Sequence, residues 1–165
     1  MRSIAWFVRA CAPSSFYLDS VPSGCWIPIY PQHLDAVIAA WNGGNVNRLD
    51  AYLSADIARK ALPALDADAN SLSERKEITA GFREAHPDAH VAIGDFRQAG
   101  DISIAKWTLA GTNTGPGDMS STGKGVWVEG VSIIRYVAGK STDENQTFDA
   151  LRLMAPLGHI ELSDG

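Results

Sequence analysis

An aspartate set among apolar neighbours is the group in this chain best suited to moving a proton. Asp149 stands between Phe148 and Ala150-Leu151, at the end of a polar stretch. Loss of hydration in such a setting raises a carboxyl pKa and fits it for general acid/base work near neutrality. A second reading makes Asp149 the N-cap of a terminal helix, and residue chemistry alone favours that reading. Arg135 follows Val131-Ser132-Ile133-Ile134 and precedes Tyr136. Turned inward it would hold or polarise a substrate oxygen; turned outward it is a strand residue with its stem along the sheet. Trp107 and Trp127 fall on neighbouring strands, as flat walls of a pocket or as plain core. Asn113, within Gly111-Thr112-Asn113-Thr114-Gly115, reads first as a turn residue. Glu129 beside Gly130 reads as a solvated charge near a β-bulge.

Other chemistries lack their residues. Gly115-Pro116-Gly117 and Gly123-Lys124-Gly125 lie between strands, whereas a phosphate loop needs Gly-Lys-Ser/Thr opening a helix. His33, His86, His90 and His159 do not advertise the three or four convergent ligands that a zinc site needs, so no metal and no cofactor is expected. No Gly-x-Ser-x-Gly elbow is present. Fourteen Lys and Arg against 19 Asp and Glu leave a net charge of −5, with the basic residues scattered. Nucleic acids and anionic membranes both need clustered base, so neither is an expected partner. Cys11 and Cys25 are too few for a disulfide framework and read as free thiols of a cytoplasmic protein, a single bridge being the alternative. At the start of the chain Arg9 interrupts an apolar run shorter than the about 7–15 residues of a signal peptide. No stretch reaches the roughly 18 apolar residues of a membrane span.

These side chains need a scaffold, and 165 residues with 45% hydrophobic and 20% charged composition suffice for one ordinary domain. Residues 1–30 carry Pro13, Pro22 and Pro28 without clear periodicity and are read as an N-terminal extension. Residues 31–42 place Leu34, Val37, Ile38 and Trp41 at helical spacing, and Gly43-Gly44 ends the run. A short second helix is expected at 46–53, with Leu49 and Tyr52 inward, then a turn and loop over 54–70. Ser71-Leu72-Ser73-Glu74 is a capping box opening a third helix, with Ile78 and Phe82 on one face, that stops before His86-Pro87. The period then changes to two. Strands are expected at 90–96, 102–111, 126–137 and, more weakly, 141–148, with a last helical turn in 150–157. Helices followed by hairpin-linked strands predict an α+β fold, its helices packed on one face of a curved antiparallel sheet.

One family matches this pattern. Gly100-Asp101-Ile102-Ser103-Ile104-Ala105-Lys106-Trp107-Thr108-Leu109-Ala110 and the following Gly111 to Gly115 turn resemble the central strand of SnoaL-like polyketide cyclases, also called ester cyclases. Ala40-Trp41-Asn42-Gly43-Gly44, Ala85-His86-Pro87-Asp88, Thr122-Gly123-Lys124, and Gly139-Lys140 with Asp149 and Leu157-Gly158 follow in the family's order. The likeness spans about residues 31–160, so a domain at 31–162 is expected.

The resemblance implies the cone of the nuclear-transport-factor-two-like superfamily: three N-terminal helices in the concave face of a curved, mainly antiparallel sheet of four to six strands. It also implies intramolecular aldol ring closure without metal or covalent intermediate, an aspartate serving as general acid/base. By its place after the Gly-Lys turn that aspartate matches Asp149, which turns the choice away from the cap. Asn113, Arg135, Trp107, Trp127 and Phe82 become candidate substrate contacts. The expected substrate is a small carbonyl or ester compound, or a polyketide-like molecule. Ser141, Thr142 and Asn145 depart from the family's apolar, acidic and aromatic pattern and make the wall beside Asp149 more polar. The same cone serves binders and other enzymes. Two alternatives therefore stand: a non-catalytic apolar-ligand binder, and an isomerase- or epoxide-hydrolase-like enzyme using Arg135, Asp149 and an inward Glu129. The outer face of such a sheet needs a cover, so a homodimer is expected.

Overall fold

The computed structural model describes residues 31–63, 68–117 and 120–158. The extension expected at 1–30, with Cys11 and Cys25, lies outside them.

Proline at a first helical position costs nothing, because that amide has no partner inside the helix. Helix α1 accordingly runs Pro31–Gly43, and Gly44 stops it at φ +70°. Its most deeply buried residues are His33, Ala36 and Ala40, while Leu34, Val37 and Trp41 line a cavity. A 3₁₀ turn, Val46–Ala51, buries Leu49; it ends earlier than the helix expected at 46–53 because Leu53 already belongs to a strand.

That strand, β1 (Leu53–Leu62), replaces most of the loop expected at 54–70. Its buried residues are Leu53, Ile57, Arg59 and Ala61, so the inward alternation passes through an arginine and an alanine. A charge at an inward position conceals the period of two. Helix α2 spans Leu72–Ala85, with Ser71 as N-cap accepting from the Glu74 amide at 3.2 Å. Glu74 Oε2 reaches back to accept from the Asn70 amide at 2.7 Å, one residue before the cap. Strands β2 (His90–Ala99), β3 (Ile102–Thr112), β4 (Gly125–Val137) and β5 (Lys140–Phe148) follow, then the short helix α3 (Ala150–Met154).

The sheet order is β1-β5-β4-β3-β2, antiparallel throughout except for the parallel pair β1–β5. This is the α+β architecture expected, with helices covering the concave face of a curved five-stranded sheet. Strand β4 is its central ruler: Val126, Val128, Ser132, Ile134 and Tyr136 alternate inward over 13 residues. Gly130 keeps regular register with Trp107 and Phe148, and the bulge expected beside it is absent. The irregularities fall instead at Leu53/Ala58, Ile93/Asp95 and Arg135/Tyr136. Glycine is required at 130 for a different reason, since a methyl group there would overlap the Trp107 indole. On the outer face Ile104 and Ile133 pair across the strands, each about half exposed.

Helix α1 is tied to edge strand β2 by one side chain. Asn42 Oδ1 accepts from the Val91 amide at 2.6 Å, and Asn42 Nδ2 donates to the Val91 carbonyl at 2.9 Å. An edge strand has free main-chain groups on its outer side, and here they are met by an amide that imitates a further strand. Asn42→Ala leaves both groups without their partner and is expected to cost about 2–3 kcal/mol. Urea unfolding is the measure: the midpoint falls while the m-value stays constant.

Candidate functional site

Between the concave face of the sheet and the helices lies a cavity of about 840 Å³. Its β2–β3 side is apolar, walled by Trp41, Phe82, Trp107, Leu109, Val128 and Phe148. Its β1–β5 side is polar, with His33, Arg59, Arg75, Ser132, Glu144 and Gln146. Register explains the second grouping. Parallel pairing sets Arg59 of β1 opposite Glu144 of β5, and antiparallel pairing sets Glu144 beside Ile134 of β4. The first turns of α2 and α1 then lower Arg75 and His33 onto the same carboxylate.

Glu144 is the centre of this group. Its Oε2 accepts from Arg75 Nε at 3.4 Å and lies 3.7 Å from Arg59 Nε. Its Oε1 accepts from Ser132 Oγ at 3.1 Å, and Ser132 Oγ in turn accepts from Trp107 Nε1 at 3.0 Å. Burial by itself would push the Glu144 carboxyl up; Arg75 and then Arg59 outweigh it, so the pKa lies below the ordinary range and the group is ionised. Arg75 also donates to Thr79 Oγ1 at 2.7 Å and lies over the Trp41 ring at 5.8 Å, so its guanidinium is held on three sides. The pKa of Arg59 falls to about 10 through burial and then the like charge of Arg75. His33, 3% exposed, is lowered by burial to about 4 although Glu144 opposes the shift, so its ring is neutral.

Two of the residues expected from sequence meet in the cavity wall. Phe82 stacks flat on His86 with centroids 4.2 Å apart, and Trp107 faces Phe148 at 6.2 Å. The others lie elsewhere. Asn113 is fully buried, but its Oδ1 accepts from the Thr122 amide at 2.7 Å and organises the β3–β4 loop. Arg135 is exposed and donates to Asp101 at 3.2 Å. Trp127 is 46% exposed beneath the Arg152 guanidinium, 5.6 Å from the ring centroid. Both residues occupy outward positions in the alternation of β4, which removes them from the cavity. Glu129 pairs with Lys106 on that same outer face, so Arg135, Glu129 and Asp149 do not converge.

Asp149 itself does not line the cavity. It caps α3, accepting from the Arg152 amide at 3.1 Å, with Arg152 Nε at 3.4 Å from its other oxygen. An extended cap residue turns its carboxyl toward the free amides of the helix that follows, and here that direction leads away from the hollow.

Sequence reasoning passed over Arg59, Arg75, His33 and Glu144. Their signal was present but faint. Glu144, Gln146 and Phe148 recur at every second residue of β5, and Arg75, Thr79 and Phe82 share one face of α2. Reading those faces as inward requires knowing that opposite charges meet there. Among the described residues, no three His, Cys, Asp or Glu side chains are placed to hold a metal ion, and no helix is long and apolar enough to cross a membrane.

The neutral His33 ties stability to pH. Its folded pKa of about 4 lies below the ordinary 6.5, so between those values the unfolded chain binds a proton that the folded chain refuses. Stability is therefore full above the upper value and falls as pH drops through the window, by about 3 kcal/mol. His33→Leu should flatten that part of the curve. Urea midpoints of both proteins across the window are the check, and parallel curves would show that His33 contributes nothing.

A model of SnoaL-like polyketide cyclases matches residues 32–157. A comparison with curated proteins gives no match. Among solved structures, TsrD from Streptomyces laurentii superposes with a TM-score of 0.69 at 21% identity, covering 78% of this chain and 94% of that one. A protein of ketosteroid isomerase-like fold from Catenulispora acidiphila, in complex with trimethylamine, gives 0.64 at 21% identity, covering 78% and 93%. IdmH from Streptomyces antibioticus gives 0.62 at 16% identity, covering 76% and 95%. At these identities the likeness shows the fold, and the family rests on the match that spans most of the chain, from α1 to the turn after α3. The chain belongs to the SnoaL-like polyketide cyclase family.

Proposed function

We propose that the cavity is the active site of a cofactor-independent cyclase, in which Glu144 moves the proton during intramolecular aldol-type closure of a polyketide-like carbonyl substrate. One observation carries this reading: among the described residues a largely buried, ionised carboxylate, bordered by two guanidinium groups, faces a cavity of about 840 Å³ with aromatic walls. That volume suits a ligand of several rings.

The chemistry follows from the pairing. A carboxylate held low is always in the form that accepts a proton, yet it is a weak base. The carbon it deprotonates must be acidic in its own right, as a methylene between two carbonyl groups is. Glu144 takes that proton, and the negative charge moves onto the substrate's carbonyl oxygen. Arg75 and Arg59 lie on the side where the charge develops and lower its energy. The enolate carbon then attacks a second carbonyl of the same molecule, and the resulting alkoxide recovers the proton from Glu144. Trp107 and Phe82 hold the flat body of the substrate, while Ser132 keeps the carboxylate in one orientation.

The family resemblance would give the proton transfer to Asp149. Its place at the α3 cap, paired with Arg152 and off the cavity lining, favours Glu144 in this chain. The full pairing of Glu144 also supports a second reading, in which the cavity binds an apolar carbonyl compound without turning it over. Synthetic aromatic β-polyketones, scored for ring closure, separate these readings. Glu144→Gln should lower kcat by about 10²–10⁴-fold and Asp149→Asn by less than about twofold, since asparagine also caps a helix. Loss confined to Asp149→Asn would return the role to that residue. Binding without turnover in the unaltered protein would establish the second reading.

A further inference from the structure

Gly81 lies in the middle of α2, where glycine weakens a helix relative to alanine. Nothing in the fold asks for it. Its φ is not positive, unlike that of Gly44 or Gly139, and beyond the neighbouring backbone of its own helix a Cβ built on it meets no atom within 4 Å. Gly130 is different, because a side chain there would strike the Trp107 ring. Gly81 is exposed and also lines the cavity, so it stands at the rim. Glu77, Gly81 and Glu84 follow each other at i, i+4 and i+7, all exposed and all bordering the hollow. Ile78 and Phe82 form the next row inward on the same helix. Met154 and Leu157, in and just after α3, border the hollow as well. A side chain at position 81 would project from α2 into the notch between two glutamates.

We propose that Gly81 sets the width of the cavity entrance and that the missing side chain admits the edge of a planar fused-ring carbonyl compound. The inference rests on the cavity being the binding site, and it adds the residue that selects ligand size. Two glutamates at the rim keep the opening hydrated and separate, and the glycine between them supplies a slot rather than a wide gap. A molecule of one ring passes whether or not the slot is filled. A rigid three-ring molecule needs it open.

The test compares Gly81→Ala and Gly81→Phe with the unaltered protein, using hydroxyacetophenone as the one-ring probe and dihydroxyanthraquinone as the three-ring probe. Association is followed by stopped-flow quenching of tryptophan fluorescence, and folding by Tm. Gly81→Ala should raise Tm by about 2–4 °C, because alanine is the better helix former. Gly81→Phe should keep a Tm no lower than the unaltered protein and slow the three-ring probe at least about tenfold, the scale on which a filled pocket rejects a ligand. The one-ring probe should change less than about twofold. An undiminished rate for the three-ring probe in Gly81→Phe, equal slowing of both probes, or a Tm lowered by alanine would each overturn the assignment of Gly81 alone. Failure of the unaltered protein to bind either probe would overturn the cavity reading and the entrance with it.

Discussion

A carboxylate taken out of water is the constraint around which this protein is built. Glu144 has lost most of its hydration, at a cost of several kcal/mol for an isolated ion. Only partners brought from distant parts of the chain offset it. Arg59 comes from β1, Arg75 from α2, Ser132 from β4, and Trp107 of β3 orients Ser132. The parallel pair β1–β5 has its physical reason here. An antiparallel sheet could have been continued by a hairpin, but placing Arg59 opposite Glu144 requires a strand from the other end of the chain. Each partner comes from a different element, so the one carboxylate ties five elements together.

That arrangement also explains why the interior stays hollow. Charged and polar groups gather on the β1–β5 side around Glu144, and the large apolar side chains stand on the opposite side. The two groups meet where the Arg75 guanidinium lies over the Trp41 ring, a contact favourable to the cation. Gly130 contributes by leaving room for the Trp107 indole to stand against β4. Its nitrogen meets Ser132, so the tryptophan belongs to both sides of the cavity at once. Packing elsewhere is compact: Ala36 and Ala40 let α1 approach closely, and Leu49, Leu53 and Ile57 fill the space beneath it.

The parts legible in the sequence were those governed by local rules. Pro31, Gly44, the Ser71–Glu74 capping pattern and the alternation of β4 act over a few residues, and the elements they mark are in place. Phe82 and Trp107, aromatic residues on inward faces, line the cavity. Strand β1 and the charged cluster were not legible, for one reason. Arg59 reads as an outward residue until Glu144 is set opposite it, and those two residues are 85 positions apart. Arg135 and Trp127 failed in the converse way. By type each reads either way, and the resemblance made both candidate contacts, yet the parity of β4 sends both outward while Val128 and Ser132 face in. Asp149 shows the limit of reasoning by apolar neighbours along the chain, since Phe148 turns to the cavity and the aspartate beside it turns to α3.

The electrostatics of the cavity bear on what any reaction there could depend on. His33 is neutral down to about 4, Glu144 is ionised from below the usual carboxylate range, and Arg59 keeps its proton to about 10. None of these three changes charge near neutrality. The charge these three groups supply is then constant across the range in which most enzymes work, and a rate that depends on them would follow the acidity of the substrate. A site of this kind suits a molecule that forms its own stabilised enolate, because the protein supplies fixed charge and position while the substrate supplies the labile proton. The polar inner face of β5 has the same meaning. A strand carrying Glu144 and Gln146 on its inner face gives up apolar burial in order to hold a permanent negative charge between two positive ones, against which an incoming carbonyl group can be oriented.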